Sequence, residues 1–168
     1  MKHLSGTRDL ALRLSALGAL HVKWFADASF AVHPDMKSHA GCTVTMGRGS
    51  TVSNSAKQKL NTTSSTESEL ACGDATLKPL MWAELFVSAL GHEPRVTMTQ
   101  DNVSTTKLMK NGKASSAKRT RHVNMQYFAI KDHLDRMEFE LECCSTDDIW
   151  ADFMSKPSQG RKFFEHRD

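Results

Sequence analysis

The chain of 168 residues has no apolar run near the ~20 residues that a membrane span needs. Its first five residues lack the apolar core of a signal peptide, which predicts a cytoplasmic or nuclear location. The four cysteines show no C-x-x-C spacing and two of them are adjacent, so neither a zinc site nor a disulfide framework is expected. Internal repeats and low-complexity linkers are also missing, and the length favours one domain with a full core.

The chain also has little net charge, +3 at pH 7, but its basic residues are unevenly distributed. Six of them crowd one region: Lys107, Lys110, Lys113, Lys118, Arg119 and Arg121. A local basic patch on a nearly neutral protein indicates a polyanionic partner. The alternative is a solvated helix and loop surface without a specific ligand.

The first half of the chain has the pattern of three strands followed by a helix. Residues 1–20 predict an amphipathic helix or a tail. β-forming residues then predict strands at 22–30, 40–46 and 50–55, with a hairpin at Gly47-Arg48-Gly49. Possible N-caps at 61–66 and helical apolar spacing predict a long helix from about Glu67 to Leu90, which Pro79 should kink or break and Gly91 should end.

The second half alternates between strands and helices. Strands are predicted at 94–99 and 139–143. Helices are predicted through Leu108 and Met109, over about 118–135, and over about 147–155. The charged tail from 158 to 168 should be loose. The resulting order, β-β-β-α-β-α-α-β-α, predicts an α/β domain at 21–157 in which helices cover a mixed, five-stranded sheet.

Four carboxylates lie where the predicted elements begin or end: Asp27, Glu69, Asp101 and Asp152. Asp27 is the odd residue in an apolar strand, and from that segment alone it fits a metal ligand or a turn former with Ser29 equally well. If the four converged, their repulsion would be severe unless divalent cations neutralised them. Oxygen ligands select hard ions such as Mg²⁺ or Mn²⁺, and a pair of ions suits in-line phosphodiester displacement.

Five motifs in this order carry a resemblance to a known family. They are Phe25-Ala26-Asp27-Ala28-Ser29, Ser64-Ser65-Thr66-Glu67-Ser68-Glu69-Leu70, Asp101-Asn102-Val103-Ser104, Arg119-Thr120-Arg121-His122-Val123 and Trp150-Ala151-Asp152-Phe153-Met154-Ser155-Lys156-Pro157. Together they resemble the ribonuclease H domain of copia-type retrotransposon polyproteins, over about residues 20 to 160. Residues 4–10 resemble the segment that joins the reverse transcriptase to this domain, which makes residues 1–20 a connector.

The resemblance implies an RNase H-like fold and hydrolysis of the RNA strand of RNA–DNA hybrids during reverse transcription. Motif matching places the family's metal ligands on Asp27, Glu69, Asp101 and Asp152, with two Mg²⁺ ions or Mn²⁺ as a substitute. Glu69 is chosen over Glu67 because the family's catalytic glutamate directly precedes an aliphatic or aromatic residue, here Leu70. Glu67 is interpreted as an acid that stabilises the helix dipole.

The same resemblance implies substrate, partner and location. Short polar groups beside the proposed ligands could sense the 2′-hydroxyl of RNA, with helix capping or turn bonding as the alternative: Ser29, Ser65, Thr66 and Asn102. The basic stretch, including Lys118, Arg119 and Arg121, would follow the DNA strand. The reverse transcriptase of the same polyprotein is the expected partner, and a virus-like particle is a further possible location.

Histidine marks a departure from the wider family. Cellular and many retroviral relatives carry a histidine in the loop before the last carboxylate, but residues 143–148 contain none, as in the copia branch. His122 is either a substrate contact or an ordinary surface residue. Trp24, Phe25, Trp82 and Phe86 are assigned to the core, and Trp150 stays open between core and base stacking.

Two rival functions stay open. The first is a catalytically inactive RNase H-like module that binds hybrid or braces the polymerase, although the complete carboxylate set favours an enzyme. The second is an integrase-like or resolvase-like enzyme acting on DNA, which would share the fold class.

Overall fold

A computed structural model describes residues 6–16, 20–111, 129–158 and 160–167. The strands are β1 (Ser15–Ala16), β2 (His21–Ser29), β3 (His39–Thr45), β4 (Gly47–Arg48), β5 (Val52–Lys57), β6 (Arg95–Gln100) and β7 (Glu140–Cys143). The helices are α1 (Ser65–Ala89), α2 (Val103–Asn111), α3 (residues 129–135), α4 (Asp152–Ser155) and α5 (Gly160–Arg167), with a 3₁₀ turn at Thr146–Asp148. Within these ranges, every helix is too short or too polar to cross a membrane.

The centre of the fold is a five-stranded mixed sheet in the order β5-β3-β2-β6-β7. β3 pairs antiparallel with both β2 and β5, whereas β6 pairs parallel with both β2 and β7. This arrangement of antiparallel and then parallel strands confirms the predicted fold class. The predicted hairpin at 47–49 is confirmed, because the residues between β3 and β5 join two antiparallel strands. Within this connection, β4 also pairs with β1 in a separate two-stranded sheet.

The alternation of side chains along β2 builds two different layers. Trp24, Ala26 and Ala28 point into the main core, which α1 covers from one face of the sheet. Phe25 points to the opposite face and forms a small cluster with Ile149 and Ala151, the residues that lead into α4. β2 is therefore buried on both faces, as its nearly continuous apolar run predicts.

Helix α1 has well-defined ends. Ser64 is the N-cap, and its Oγ accepts from the Glu67 backbone N–H at 3.2 Å. At the C-terminal end, Gly91 adopts a positive φ of 84°, and the backbone N–H groups of residues 91 and 92 donate to Ser88 and Val87, which forms a Schellman motif. The predicted stop at Gly91 is confirmed.

Pro79 does not break α1. The helix runs through it for 25 residues. Of the predicted kink or break at this position, the break is therefore absent. A proline removes one backbone hydrogen bond, but Leu77 and Leu80 on either side are buried in the core. Tertiary packing therefore maintains the helix across a residue with poor helix propensity.

Trp82 and Phe86 are exposed, so their assignment to the core was wrong. Their rings stack on each other with centroids 5.4 Å apart, which shields part of their apolar area from solvent. Trp24 and Phe25 are buried as predicted. Trp150 has an intermediate position, because it stacks on Phe25 at 5.3 Å while 42% of it stays exposed.

The C-terminal region differs from its prediction in two places. The helix expected over 147–155 is a 3₁₀ turn and the separate helix α4, because Ile149 takes an extended conformation and buries its side chain beside Phe25. The tail expected to be loose contains α5, whose Phe163 contacts Phe153 at 5.5 Å. At the other end, residues 10–14 have no regular structure, which fits the tail alternative rather than a helix there.

Close packing of α4 on the sheet requires a glycine at position 41. A Cβ added to Gly41 would lie 2.6 Å from the Ser155 backbone N and 2.7 Å from the Ala151 carbonyl oxygen. Gly41→Ala should therefore displace α4 and lower the free energy of unfolding by about 1–3 kcal/mol. Urea denaturation measures this loss. Gly6→Ala is the control, since its Cβ meets nothing within 4 Å; equal stability of both variants would contradict the packing argument.

Candidate functional site

Two of the four predicted carboxylates are brought together by the parallel pairing of β2 and β6. Phe25 pairs with Thr99, and the same register carried two residues further places Asp27 beside Asp101. Asp27 lies within β2 and is 1% exposed, whereas Asp101 directly follows β6 and is partly exposed. The two acids thus meet at the carboxyl ends of adjacent parallel strands, where ligand sites gather in sheets of this kind.

The third carboxylate, Glu69, comes from the first turns of α1. The backbone N–H of Ala28 hydrogen-bonds to it, and one turn further on the Cys72 Sγ donates to the Asp27 carbonyl oxygen at 3.2 Å. These contacts fix the start of α1 against the end of β2. The ligand oxygens of Asp27, Glu69 and Asp101 all lie within 4.8 Å of one another.

The electrostatics of this triad favour a bound cation. Burial, together with the charge of Asp27, raises the pKa of Glu69 to about 9. Burial also raises the pKa of Asp27, although a hydrogen bond from Ser155 and the charge of Lys156 oppose the change. Glu69 Oε2 is buried and has no hydrogen-bond partner among the residues that the structure describes. A buried acceptor of this kind is costly unless something positive or hydrogen-bonding satisfies it.

Asp152 lies on the other side of Asp27, at the start of α4, and is not one of the three acids that form the tight triad. The Lys156 ammonium joins the two groups: it hydrogen-bonds to Asp152 Oδ1 and lies 3.3 Å from Asp27 Oδ2. The Ser155 hydroxyl donates to Asp27 Oδ2 as well. The structure therefore brings all four predicted ligands to one edge of the sheet, and Lys156 links Asp152 to Asp27.

Glu67, the rejected alternative to Glu69, has a structural role. Its carboxylate accepts two hydrogen bonds of 2.6 Å from Thr63, one from the backbone N–H and one from Oγ1. Together with the Ser64 cap this forms a capping arrangement at the start of α1. Glu67 thus points back along the chain, while Glu69 faces the other carboxylates.

The predicted substrate contacts divide by their hydrogen bonds. Ser29 is buried and its hydroxyl donates to the Ser155 carbonyl oxygen at 2.9 Å, and Asn102 Oδ1 accepts from the Thr105 backbone N–H at 3.1 Å. Both bonds fit the capping or turn alternative. Ser65 is exposed and Thr66 partly exposed at the start of α1, so these two remain accessible. Contact of any of the four with nucleic acid stays a prediction.

Four further predicted contacts, Lys118, Arg119, Arg121 and His122, lie outside the described residues, as does Lys113. Of the basic region, the structure describes Lys107 and Lys110, which are exposed on α2. A basic surface next to the site therefore stays a prediction, and among the described residues of this region it is supported by these two lysines.

Sequence reasoning missed Lys156 and Ser155 as parts of the site. The signal was present, because Asp152 and Lys156 have the i,i+4 spacing that pairs charges on a helix. Sequence analysis did not use this signal, because the family motif identifies only the carboxylate.

A cleft of about 470 Å³ lies near Phe25 and Trp150, but none of the four carboxylates lines it.

Solved structures with the same fold are ribonucleases H. LC11-RNase H1 in complex with an RNA/DNA hybrid matches with a TM-score of 0.57 and 14% identity, over 79% of this chain and 92% of that one. RNase H1 from Halobacterium salinarum matches with a TM-score of 0.55 and 9% identity, over 80% of this chain and 94% of that one. The chain therefore has the ribonuclease H fold.

Two proteins similar to this chain in sequence are retrotransposon Pol polyproteins. The chain is 28% identical over 165 residues to the retrovirus-related Pol polyprotein from transposon TNT 1-94 of Nicotiana tabacum, and 30% identical over 162 residues to that from transposon RE2 of Arabidopsis thaliana. The matches cover 97% and 94% of this chain but only 12% and 11% of those polyproteins. No family model matches. The resemblance to the ribonuclease H domain of a retrotransposon Pol polyprotein is confirmed.

The raised pKa of Glu69 makes the stability of the metal-free protein depend on pH. A folded-state pKa of about 9 against 4.5 means that the folded state holds a proton that the unfolded state loses, so stability falls as pH rises between these values. Glu69→Gln should remove this penalty and raise the free energy of unfolding in EDTA at pH 7 by about 3 kcal/mol.

The measurement is urea denaturation in EDTA from pH 4 to pH 9, in which the gain should vanish near pH 4. The exposed Glu93 provides the control variant Glu93→Gln, which should follow the wild type at every pH. A Glu69→Gln protein that is less stable than the wild type at pH 7 would contradict the assignment of a charge penalty to this side chain.

Proposed function

We propose that this domain is a metal-dependent ribonuclease H that hydrolyses the RNA strand of RNA–DNA hybrids during retrotransposon reverse transcription. The observation that carries the proposal is the triad of Asp27, Glu69 and Asp101, with ligand oxygens within 4.8 Å, at one edge of a ribonuclease H fold. The domain is one segment of much longer relatives, so a polyprotein with a reverse transcriptase is the expected context.

The residues of the site fit a hard divalent cation. The candidate ligands are all carboxylate oxygens, and Mg²⁺ or Mn²⁺ prefers such ligands over nitrogen or sulfur. The buried Glu69 Oε2, which lacks a partner among the described residues, is an acceptor that a cation would satisfy. Asp27, Glu69, Asp101 and Asp152 would hold two Mg²⁺ ions, which activate a water nucleophile and stabilise the leaving oxygen when they are bound.

The protein's own contribution is to hold these ligands in place before substrate arrives. The backbone N–H of Ala28 orients Glu69, and the Ser155 hydroxyl orients Asp27 from the opposite side. Because each carboxylate lies on or beside a strand or helix that packs against the core, the ligand geometry needs little reorganisation. Preorganised charge of this kind is a major source of rate enhancement in enzymes.

The proposed substrate is an RNA–DNA hybrid, which fits the partly exposed Asp101 of the site and the basic residues that follow it in the sequence. Exposed lysines on α2 would provide attraction to phosphates that is independent of sequence and weakened by salt. The accessible hydroxyls of Ser65 and Thr66 lie four and three residues before Glu69, where they could meet the 2′-hydroxyls of the RNA strand. The reaction would take place in the cytoplasm, in a virus-like particle or in the nucleus, wherever reverse transcription occurs.

Replacing Asp101 tests the catalytic proposal directly. Asp101→Asn keeps the size and most of the hydrogen bonding but removes one charge from the triad, so cleavage of hybrid in Mg²⁺ should fall by at least about 100-fold. Hybrid affinity should change little, because phosphate contacts elsewhere supply most of the attraction. Cleavage is measured on a labelled hybrid, and affinity by fluorescence anisotropy. The exposed Asp9 provides a control, since Asp9→Asn should cleave at the rate of the wild type.

The outcomes separate the rival functions. Normal cleavage by Asp101→Asn would overturn the site assignment. Tight hybrid binding without cleavage by the wild type would indicate the inactive binding or bracing module instead. Comparing hybrid, duplex RNA and duplex DNA as substrates completes the test, because preference for duplex DNA would indicate an integrase-like or resolvase-like enzyme.

A further inference from the structure

Lys156 occupies an unusual position for a lysine at the surface end of a short helix. It is the C-cap of α4, and its backbone N–H donates to the Asp152 carbonyl oxygen at 2.9 Å. Its ammonium contacts carboxylates of two elements far apart in the sequence: Asp152 of α4, and both oxygens of Asp27 in β2 at 3.3 and 3.4 Å. A single cation thus bridges two of the four proposed metal ligands.

The burial of the partners distinguishes this bridge from the other ion pairs in the described part of the chain. The side chains of Asp27 and Asp152 are 2% and 8% exposed. By comparison, the side chains of Lys57 and Asp35 are 43% and 46% exposed. Lys57 is thus about as exposed as Lys156, at 42%, but its acidic partner is far more exposed. Surface pairs contribute little, whereas a charge with desolvated partners is strongly attracted to them.

The position of the ammonium also coincides with the place that a divalent cation would need. An ion held by Asp27 and Asp152 must approach the same oxygens that Lys156 contacts, and two cations at such short distances repel each other. The side chain of Lys156 is 42% exposed, so the ammonium can turn toward solvent without any movement of the backbone. Binding on the Asp152 side therefore requires a swing of this one side chain.

We propose that Lys156 is a resident cation that competes with the divalent ion for Asp27 and Asp152. In the metal-free protein it neutralises the two acids and keeps α4 docked beside β2. When metal binds, the ammonium gives up these contacts, so the affinity of the site for metal is set partly by the strength of the lysine bridge. Lys156 is a positioning residue in this sense, and its role rests on the proposed metal site.

The test measures metal binding rather than activity. Mn²⁺ is titrated by calorimetry into the wild type and Lys156→Met, and melting temperatures are recorded in EDTA and in saturating Mn²⁺. The variant should bind Mn²⁺ more tightly, on the order of tenfold, because the metal no longer displaces a competing charge. It should melt at a lower temperature than the wild type in EDTA, and Mn²⁺ should raise its melting temperature by more than that of the wild type.

Three further variants make the result specific. Lys156→Arg keeps the charge and should restore an affinity close to that of the wild type, which a role in packing alone would not explain. Lys156→Gln provides a second neutral variant if the methionine variant fails to fold. Lys57→Met removes a lysine of the same exposure from an ordinary pair and should leave Mn²⁺ affinity unchanged.

The outcomes also distinguish this inference from the proposed function. If the wild type binds Mn²⁺ and both neutral variants bind it with the same or lower affinity, the competition is overturned while the metal site stands. If neither the wild type nor the neutral variants bind Mn²⁺, the metal-dependent function is overturned, and the inference falls with it.

Discussion

The central constraint on this structure is the burial and mutual repulsion of the carboxylates that the fold brings to one sheet edge. Asp27, Glu69 and Asp101 come from a strand, a helix and a loop, and their ligand oxygens lie within 4.8 Å. Burial first, and then the charge of Asp27, raises the pKa of Glu69, so this arrangement opposes ionisation of that carboxyl in the absence of a cation. Core packing on both sides of β2 must therefore supply the free energy that holds the acids together.

The packing of α4 against the sheet shows how the acids are held in place. Gly41 pairs with Asp27 across the antiparallel ladder, and its lack of a side chain lets the α4 backbone lie directly on the strand. This contact places Asp152, Ser155 and Lys156 around Asp27. One glycine thus links the register of β3 to the composition of the candidate site, because a larger residue would move all three of these side chains at once.

Much of this could be predicted from the sequence because the relevant patterns are local. The apolar run around Asp27 predicts a buried strand, and the acids near the carboxyl ends of β2 and β6 converge because parallel strands end at the same edge. The preference for Glu69 over Glu67 agrees with the structure, where Glu67 bonds to Thr63 instead. The strand and the convergence of the acids follow from general rules of sheets, whereas the choice of Glu69 came from the resemblance to the family motif.

What could not be predicted depends on contacts between distant segments. The helical spacing of Trp82 and Phe86 shows that they share a helix face, but only the docking of α1 decides which face is buried, and theirs is exposed. The division of 147–155 into two elements follows from the burial of Ile149 against Phe25, more than a hundred residues away. The bridge from Lys156 to Asp27 has the same origin, since only the Asp152 partner lies within local reach.

The charge balance of the site connects these observations. In the metal-free state, Lys156 lies beside Asp27 and Asp152, and the raised pKa of Glu69 means that this carboxyl keeps its proton at neutral pH. A proton and an ammonium thus remove part of the negative charge that a partly buried edge of a sheet cannot hold alone. At the proposed metal site, divalent ions would take over this compensation, since Glu69 would lose its proton to become a ligand and Lys156 would leave the oxygens of Asp27 and Asp152. Metal binding should therefore be coupled both to proton release and to the movement of one lysine, because proton, ammonium and metal ion compete for the same carboxylates.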